Sequence, residues 1–193
     1  MKKILVFIFA LTITSVLDAQ VQFGVKAGYS HVNLIYSGSA INDLRARSDF
    51  NGGIFASIPL FNEFYLQPEL MYSGQGSGFT DSIPTEANYD YLNLPVLFKY
   101  QHASGLFAET GPQIGFLLSA KLSSEGHAID TKTYTQSTDF SWAFGIGYKI
   151  SKLNLGLDAR YNLGLTNTIK ASNAGTAKNS VFQLDLFYQF KLL

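Results

Sequence analysis

Three histidines, His31, His102 and His127, are the side chains of this sequence best suited to proton-transfer chemistry. Acyl transfer by a serine needs such a base within hydrogen-bond reach, and a carboxylate to orient it. His31 with the adjacent Ser30, or with a loop aspartate, is the one dyad the sequence allows, because His102 and His127 fall in separate connections at other heights. No two histidines have the spacing of a metal pair. The chain has no cysteine, which excludes thiol catalysis, thiolate metal sites, disulfides and a lipidated-cysteine anchor. The expectation is therefore a protein without enzymatic activity, without a cofactor and without a metal site.

The charged side chains are more informative. Fourteen basic residues balance fourteen acidic ones, so there is no nucleic-acid footprint and no polybasic patch for a membrane surface. Nine charges recur at alternate positions inside apolar stretches: Lys26, Glu69, Lys99, Glu109, Lys149, Asp158, Arg160, Asp185 and Lys191. Five cations against four carboxylates is close to neutral. That is the composition of groups that pair across a closed space, whereas an ion pathway carries an excess of one sign.

The elements that must position these charges are strands with a strict two-residue period. Residues 181–193 read VFQLDLFYQFKLL. Phe182, Leu184, Leu186, Tyr188, Phe190 and Leu192 share one face, and Gln183, Asp185, Gln189 and Lys191 share the other; only Phe187 breaks the rule. Comparable segments fall at residues 21–34, 51–60, 64–73, 89–101, 105–121, 139–150 and 153–165. The connections alternate long and short. Residues 35–50, 74–88, 122–138 and 166–179 read as long polar loops, and 61–63, 102–104 and 151–152 as tight turns. An apolar face bearing aromatics opposite a charged face, repeated eight times, describes a transmembrane β-barrel with lipid outside and polar side chains within. A soluble up-and-down barrel has the same strand count with the opposite facing, but six large side chains from one strand would overfill its lumen. Eight strands leave a lumen that side chains just fill. Phe64, Tyr72, Tyr100, Phe140, Trp142, Tyr148, Tyr161 and Tyr188 fit the interfacial girdles. Inward Gly24, Gly28, Gly145 and Gly147 relieve crowding, and the mid-strand Pro68 and Pro112 are expected to impose local bulges.

The first residues are of another kind. Lys2 and Lys3 precede a short apolar run at 4–11 and a weakly polar stretch ending Ala19-Gln20. This reads as a secretory signal peptide over 1–19, too short to span a membrane as a helix, ahead of one domain at 20–193. Charged residues are only 15% of the chain and aromatics also 15%, a balance that suits rings facing lipid better than a soluble surface.

LQPELMYSGQG (66–76), YLNLPVLFKY (91–100), FAETGPQIGFLLSAK (107–121) and ARYNLGLTN (159–167) together resemble the PorT-like, or porin-family, outer membrane β-barrel domain. The resemblance runs from Val21 to the end of the chain. It implies an eight-stranded, all-β, antiparallel barrel in a Gram-negative cell envelope, and the family label also covers porins and a protein-secretion accessory. This chain departs from it in ending Lys191-Leu192-Leu193 where an aromatic is usual, which leaves Tyr188 and Phe190 as the signal for the barrel-insertion machinery. The expected role is structural, or binding of an external partner through the long loops, in contact with outer-membrane lipids and with both termini periplasmic. An accessory role in transport or protein secretion is the alternative, and a lipid-modifying enzyme the weaker one.

Overall fold

The computed structural model describes residues 21–37, 44–80, 84–124, 127–167 and 176–190. The strands are β1 (Gln22–Ser37), β2 (Leu44–Phe61), β3 (Phe64–Thr80), β4 (Pro84–Gln101), β5 (Leu106–Ser124), β6 (His127–Asp130), β7 (Thr138–Ile150), β8 (Leu155–Gly164) and β9 (Thr176–Gln189). A single 3-10 turn, Lys132–Tyr134, joins β6 to β7. Every ladder is antiparallel. β1 pairs with β9 from Gly24↔Gln189 to Ser37↔Thr176, and this seam closes a ring of eight strands. β6 is a ninth, short strand laid only on the outer end of β5. The segment read as a signal peptide (1–19) and Lys191 lie outside the described residues.

One end of the barrel carries the start of β1, the end of β9 and the short turns at 62–63, 102–105 and 151–154. Asn62 (φ 49°) and Asn154 (φ 54°) take the left-handed conformation there, which asparagine tolerates because its short polar side chain bonds locally. The last of these turns takes four residues rather than two, so β8 begins at Leu155 instead of at 153.

The other end differs from the expectation of long loops. β1 and β2 remain paired to Val32↔Arg47, and β3 and β4 to Thr80↔Pro84. β5 runs to Ser124, and β6 folds back on it from His127 to Asp130. Much of the stretches at 35–50, 74–88 and 122–138 is therefore ladder. β2 and β4 have 18 residues each. At about 3.3 Å per residue and a tilt near 40°, such strands rise roughly 45 Å, well beyond an apolar band of about 25 Å. β8 has only 10 residues. The wall is consequently tall over β1–β5 and low over β7 and β8.

The expected bulges at Pro68 and Pro112 are not found. The β2–β3 register holds from Phe55↔Glu69 to Ile58↔Leu66, and the β4–β5 register from Pro95↔Gln113 to Phe98↔Thr110. Each proline pairs on its other side, Pro68 with Val96 and Pro112 with Trp142. A missing N–H on one side removes one ladder bond without inserting a residue. The irregularities fall elsewhere, at Ala46/Asn51, Pro59/Phe61 and Asp90/Tyr91.

Large apolar side chains on one face of each strand point outward: Ile146 is 67% exposed, while its neighbours in sequence on β7 turn into the lumen. Near the short-turn end, three phenylalanines face inward as a group. Phe187 meets Phe55 and Phe107 with ring centroids 5.9 Å away in each case. Each ring lies over a glycine directly across the ladder: Phe55 over Gly24, Phe107 over Gly147, Phe187 over Gly156. A Cβ at any of these glycines would come within 2.2 Å of the ring. Phe187, which breaks the outward rule in the sequence, is thus an inward ring given space by Gly156. Gly156→Ala is expected to lower the urea-unfolding free energy of the refolded barrel by about 1–3 kcal/mol, an overpacking cost. Phe187→Leu in the same background should return part of that loss.

Candidate functional site

The alternation that makes the outer face apolar brings the charges together inside. Lys26 sits on β1, Glu69 on β3, Lys99 on β4, Glu109 on β5, Lys149 on β7, Asp158 and Arg160 on β8, and Asp185 on β9. All eight are buried, none more than 9% exposed.

Arg160 is the centre. Its Nη1 donates to Glu69 Oε2 at 2.7 Å and its Nη2 to Glu69 Oε1 at 2.9 Å, a bidentate fork. Its Nε donates to Glu109 Oε1 at 3.1 Å, and Nη2 reaches the same oxygen. Nη2 also donates to Asp158 Oδ2 at 3.1 Å. Lys26 Nζ adds bonds to Glu69 Oε1 at 3.1 Å and Asp158 Oδ2 at 2.5 Å. Strands β1, β3, β5 and β8 are thereby tied across the lumen by side chains alone. Arginine suits this place because its planar fork meets two carboxylates in fixed geometry, which an ammonium cannot do.

Around this centre the contacts change character. Gln67 donates to Glu69 Oε1 at 2.8 Å and accepts from Lys99 Nζ at 3.2 Å, so Lys99 joins through an amide. Lys99 Nζ also lies 3.7 Å from the centroid of Phe107 and 5.3 Å from that of Phe187. Its charge is held against the ring faces of the phenylalanine group. Lys149 stands apart, bonded to Gln189 Oε1. Asp185 faces Asp158 across the β8–β9 ladder, and neither of its carboxylate oxygens has a hydrogen-bond partner.

Toward the long-hairpin end the lumen is filled by neutral polar groups and a second apolar cluster. Asn162 donates to Gln183 Oε1 at 2.7 Å, while Ser30 accepts from Asn51 and from Gln183. Tyr91, Leu117 and Ala120 pack together beyond them. The shift of register at Asp90/Tyr91 leaves Leu118 as an extra residue, and it turns both Leu117 and Ala120 inward. Asp139, buried and absent from the sequence-derived set, accepts from Thr166 Oγ1 at 2.7 Å and from Asn179 Nδ2 at 3.2 Å. It opens β7, where the alternation has only begun.

The eight aromatics proposed as girdles sort into two levels along the strands. Phe64, Tyr100, Tyr148 and Tyr188 lie within three residues of short-turn strand ends, and Tyr72, Phe140, Trp142 and Tyr161 lie in the other half. Several polar handles among them are satisfied locally. Tyr72 donates to Asp90 Oδ1, Tyr161 bonds Ser180 Oγ, and Trp142 Nε1 donates to Thr110 Oγ1, each at 2.8 Å. Thr110 in turn donates to the Ala143 carbonyl at 2.9 Å.

The Ser30–His31 dyad does not form, since adjacent strand residues point to opposite faces. Ser30 is buried in the lumen. His31 is on the outside, its Nδ1 3.1 Å from Ser48 Oγ, and among the described residues no carboxylate is bonded to it. The other two histidines stay apart, His102 bonding Ser104 in a short turn and His127 opening β6. Among the described residues no group of three or more His, Asp or Glu is arranged to hold a metal ion.

Removing Arg160 would leave Glu69, Glu109 and Asp158 facing one another with only Lys26 in contact. Arg160→Ala is therefore expected to cost about 3–5 kcal/mol of unfolding free energy. Lys149→Met, which removes a cation touching no carboxylate, should cost less than about 1.5 kcal/mol. Urea titration of the refolded barrels, followed by the gel shift between folded and unfolded forms, compares the two.

Residues 17–170 match the family model described as outer membrane protein beta-barrel domain. No curated protein matches the sequence. Among solved structures, Neisserial surface protein A is similar with a TM-score of 0.57 and 14% identity, over 87% of this chain and 97% of that one. The attachment invasion locus protein Ail of Yersinia pestis aligns at TM-score 0.50 and 16% identity, over 89% and 99% of the two chains. OprG of Pseudomonas aeruginosa aligns at TM-score 0.50 and 12% identity, over 90% and 98%. At these identities the likeness is one of fold, and it agrees with the closed ring of eight antiparallel strands. The family match covers most of the chain: this protein belongs to the outer membrane protein β-barrel domain family, and its site is the outer membrane.

Proposed function

We propose that the protein is a non-enzymatic, non-conducting barrel that serves as a rigid base for its outer hairpins, which act as a structural or binding surface. The observation that carries this reading is the lumen, crossed by the Arg160 network and narrowed below it by Phe55, Phe107 and Phe187. Side chains locked in mutual ion pairs leave no file of free sites for an ion to move along. The working surface is then the tall wall built by the outer halves of β1–β5 with β6. β6 presents Ile129 and the 3-10 turn after it presents Tyr134, 64% and 74% exposed, and a large exposed aromatic suits protein recognition. β1 starts and β9 ends on the short-turn side, which in outer-membrane barrels is periplasmic, and this supports the reading that both termini are periplasmic. The aromatic girdles contact membrane lipid, and Tyr188 and Phe190 serve the insertion machinery. The Ail barrel, of similar fold, belongs to a protein named for attachment and invasion.

An accessory role in transport or protein secretion, the narrower PorT-like reading, rests on the four segments quoted above. Loss of secreted proteins on deletion of the gene, restored by a barrel with exchanged hairpins, would favour it. Reconstituted in a planar bilayer, the barrel is expected to show little or no steady conductance. A large, stable single-channel current would contradict the filled lumen. Exchanging the hairpins spanning 35–50 and 74–88 for short turns should leave membrane insertion intact and abolish binding to cells or matrix.

A further inference from the structure

The lumen network is not balanced where its members touch. Four carboxylates, Glu69, Glu109, Asp158 and Asp185, share this middle level. The cations bonded to them are two, Arg160 and Lys26. Lys99 is held by Gln67 and by aromatic faces, and Lys149 by Gln189, so neither touches a carboxylate. Lys99 still acts through space on Glu69, Glu109 and Asp158, so one negative charge is left over at this level, in a space walled by the barrel. Such an excess is costly unless something answers it.

The free acceptors show where. Asp158 and Asp185 are direct partners across the β8–β9 ladder, on the same inward face. Cross-strand partners have Cβ atoms about 4.5–5.5 Å apart. Asp158 directs Oδ2 to Lys26 and Arg160, leaving Oδ1 without a partner. Asp185, 1% exposed, has neither oxygen bonded, although Asn51 lies nearby and donates instead to Ser30 Oγ at 2.8 Å. Glycine flanks the pair on both sides, Gly147 opposite Asp158 and Gly28 opposite Asp185. A Cβ on Gly28 would lie 2.4 Å from Asp185 Oδ1, so the carboxylate leans into room that only glycine leaves. Three anionic oxygens on neighbouring strands, without a hydrogen-bond partner, are a donor set suited to a hard cation.

We propose that Asp158 and Asp185 hold a divalent, oxygen-coordinated cation in the lumen, bridging β8 and β9 next to the β1–β9 seam. Waters complete its shell, since the two side chains supply three free oxygens against the six to eight that calcium takes. This inference is independent of what the outer hairpins bind. It shares Asp158 with the Arg160 network, but that network uses only the residue's Oδ2.

The test is calcium binding to the full mature barrel, refolded in a neutral detergent free of lipopolysaccharide and stripped with EGTA. Equilibrium dialysis against labelled calcium is expected to give one tightly held ion per wild-type barrel and loss of that ion in Asp185→Asn. The temperature of the folded-to-unfolded gel shift should rise with calcium in the wild type alone. A wild-type barrel that holds no calcium overturns the proposal, and this arm stands even where the variant fails to fold. Undiminished calcium in a folded Asp185→Asn barrel also overturns it, by placing the ion elsewhere. A wild type without calcium whose gel shift depends instead on pH would assign the pair a shared proton and overturn the metal.

Discussion

A guanidinium buried beyond the reach of water must be answered by its neighbours, and Arg160 is answered from two other strands as well as its own. The carboxylates it binds come from β3, β5 and β8, and Lys26 adds β1. The strands that carry them are not all neighbours in the ring, so the network fixes the cross-section of the barrel, which ladder hydrogen bonds alone leave compliant. The same burial explains why the interior tolerates so many charges. Each costs several kcal/mol to desolvate and is stable there only because its partners are already in place. Small residues beside the large ones complete the fit. Gly145 lies opposite Glu109, and a Cβ there would meet the Glu109 side chain at 2.8 Å.

The outside obeys the complementary constraint. A membrane-facing surface must satisfy every polar atom locally, and the outward hydroxyls of Tyr72, Tyr161 and Thr110 all find protein partners. Pro68 and Pro112 are admitted to mid-strand because each forfeits a single donor while its strand stays in register. Closure through the long β1–β9 seam removes the edges that an open sheet would present to lipid. The tall wall over β1–β5 then continues the same ladders beyond the membrane, so the exposed hairpins are extensions of the barrel rather than loops hung upon it.

Much of this was legible in the residue pattern. Alternation located the eight ring strands and put Lys26, Glu69, Lys99, Glu109, Lys149, Asp158, Arg160 and Asp185 on inward faces, since one periodicity decides both faces at once. What the pattern could not carry was pairing. That Arg160 takes Glu69 and Glu109 while Lys99 turns to Phe107 depends on strand tilt and register, which are properties of the closed ring. The outer parts of β2, β3 and β4 and the whole of β6 fall in stretches read as loops, because their residues do not alternate between apolar and polar. GQGSGFT and HAID carry no apolar stripe although they are paired. Phe187 is an exception to the alternation in the sequence, and Gly156 across the ladder gives its inward ring the room it needs. Asp139 lay at a strand start, where too few residues precede it to define a phase.

Glu69 and Arg160 act as one unit across the lumen. A double-mutant cycle on unfolding free energy, with Arg160→Met, Glu69→Gln and the pair together, measures this directly. The two losses are expected to be strongly non-additive, with a coupling of about 1.5 kcal/mol or more. Additive losses, with coupling near zero, would contradict it.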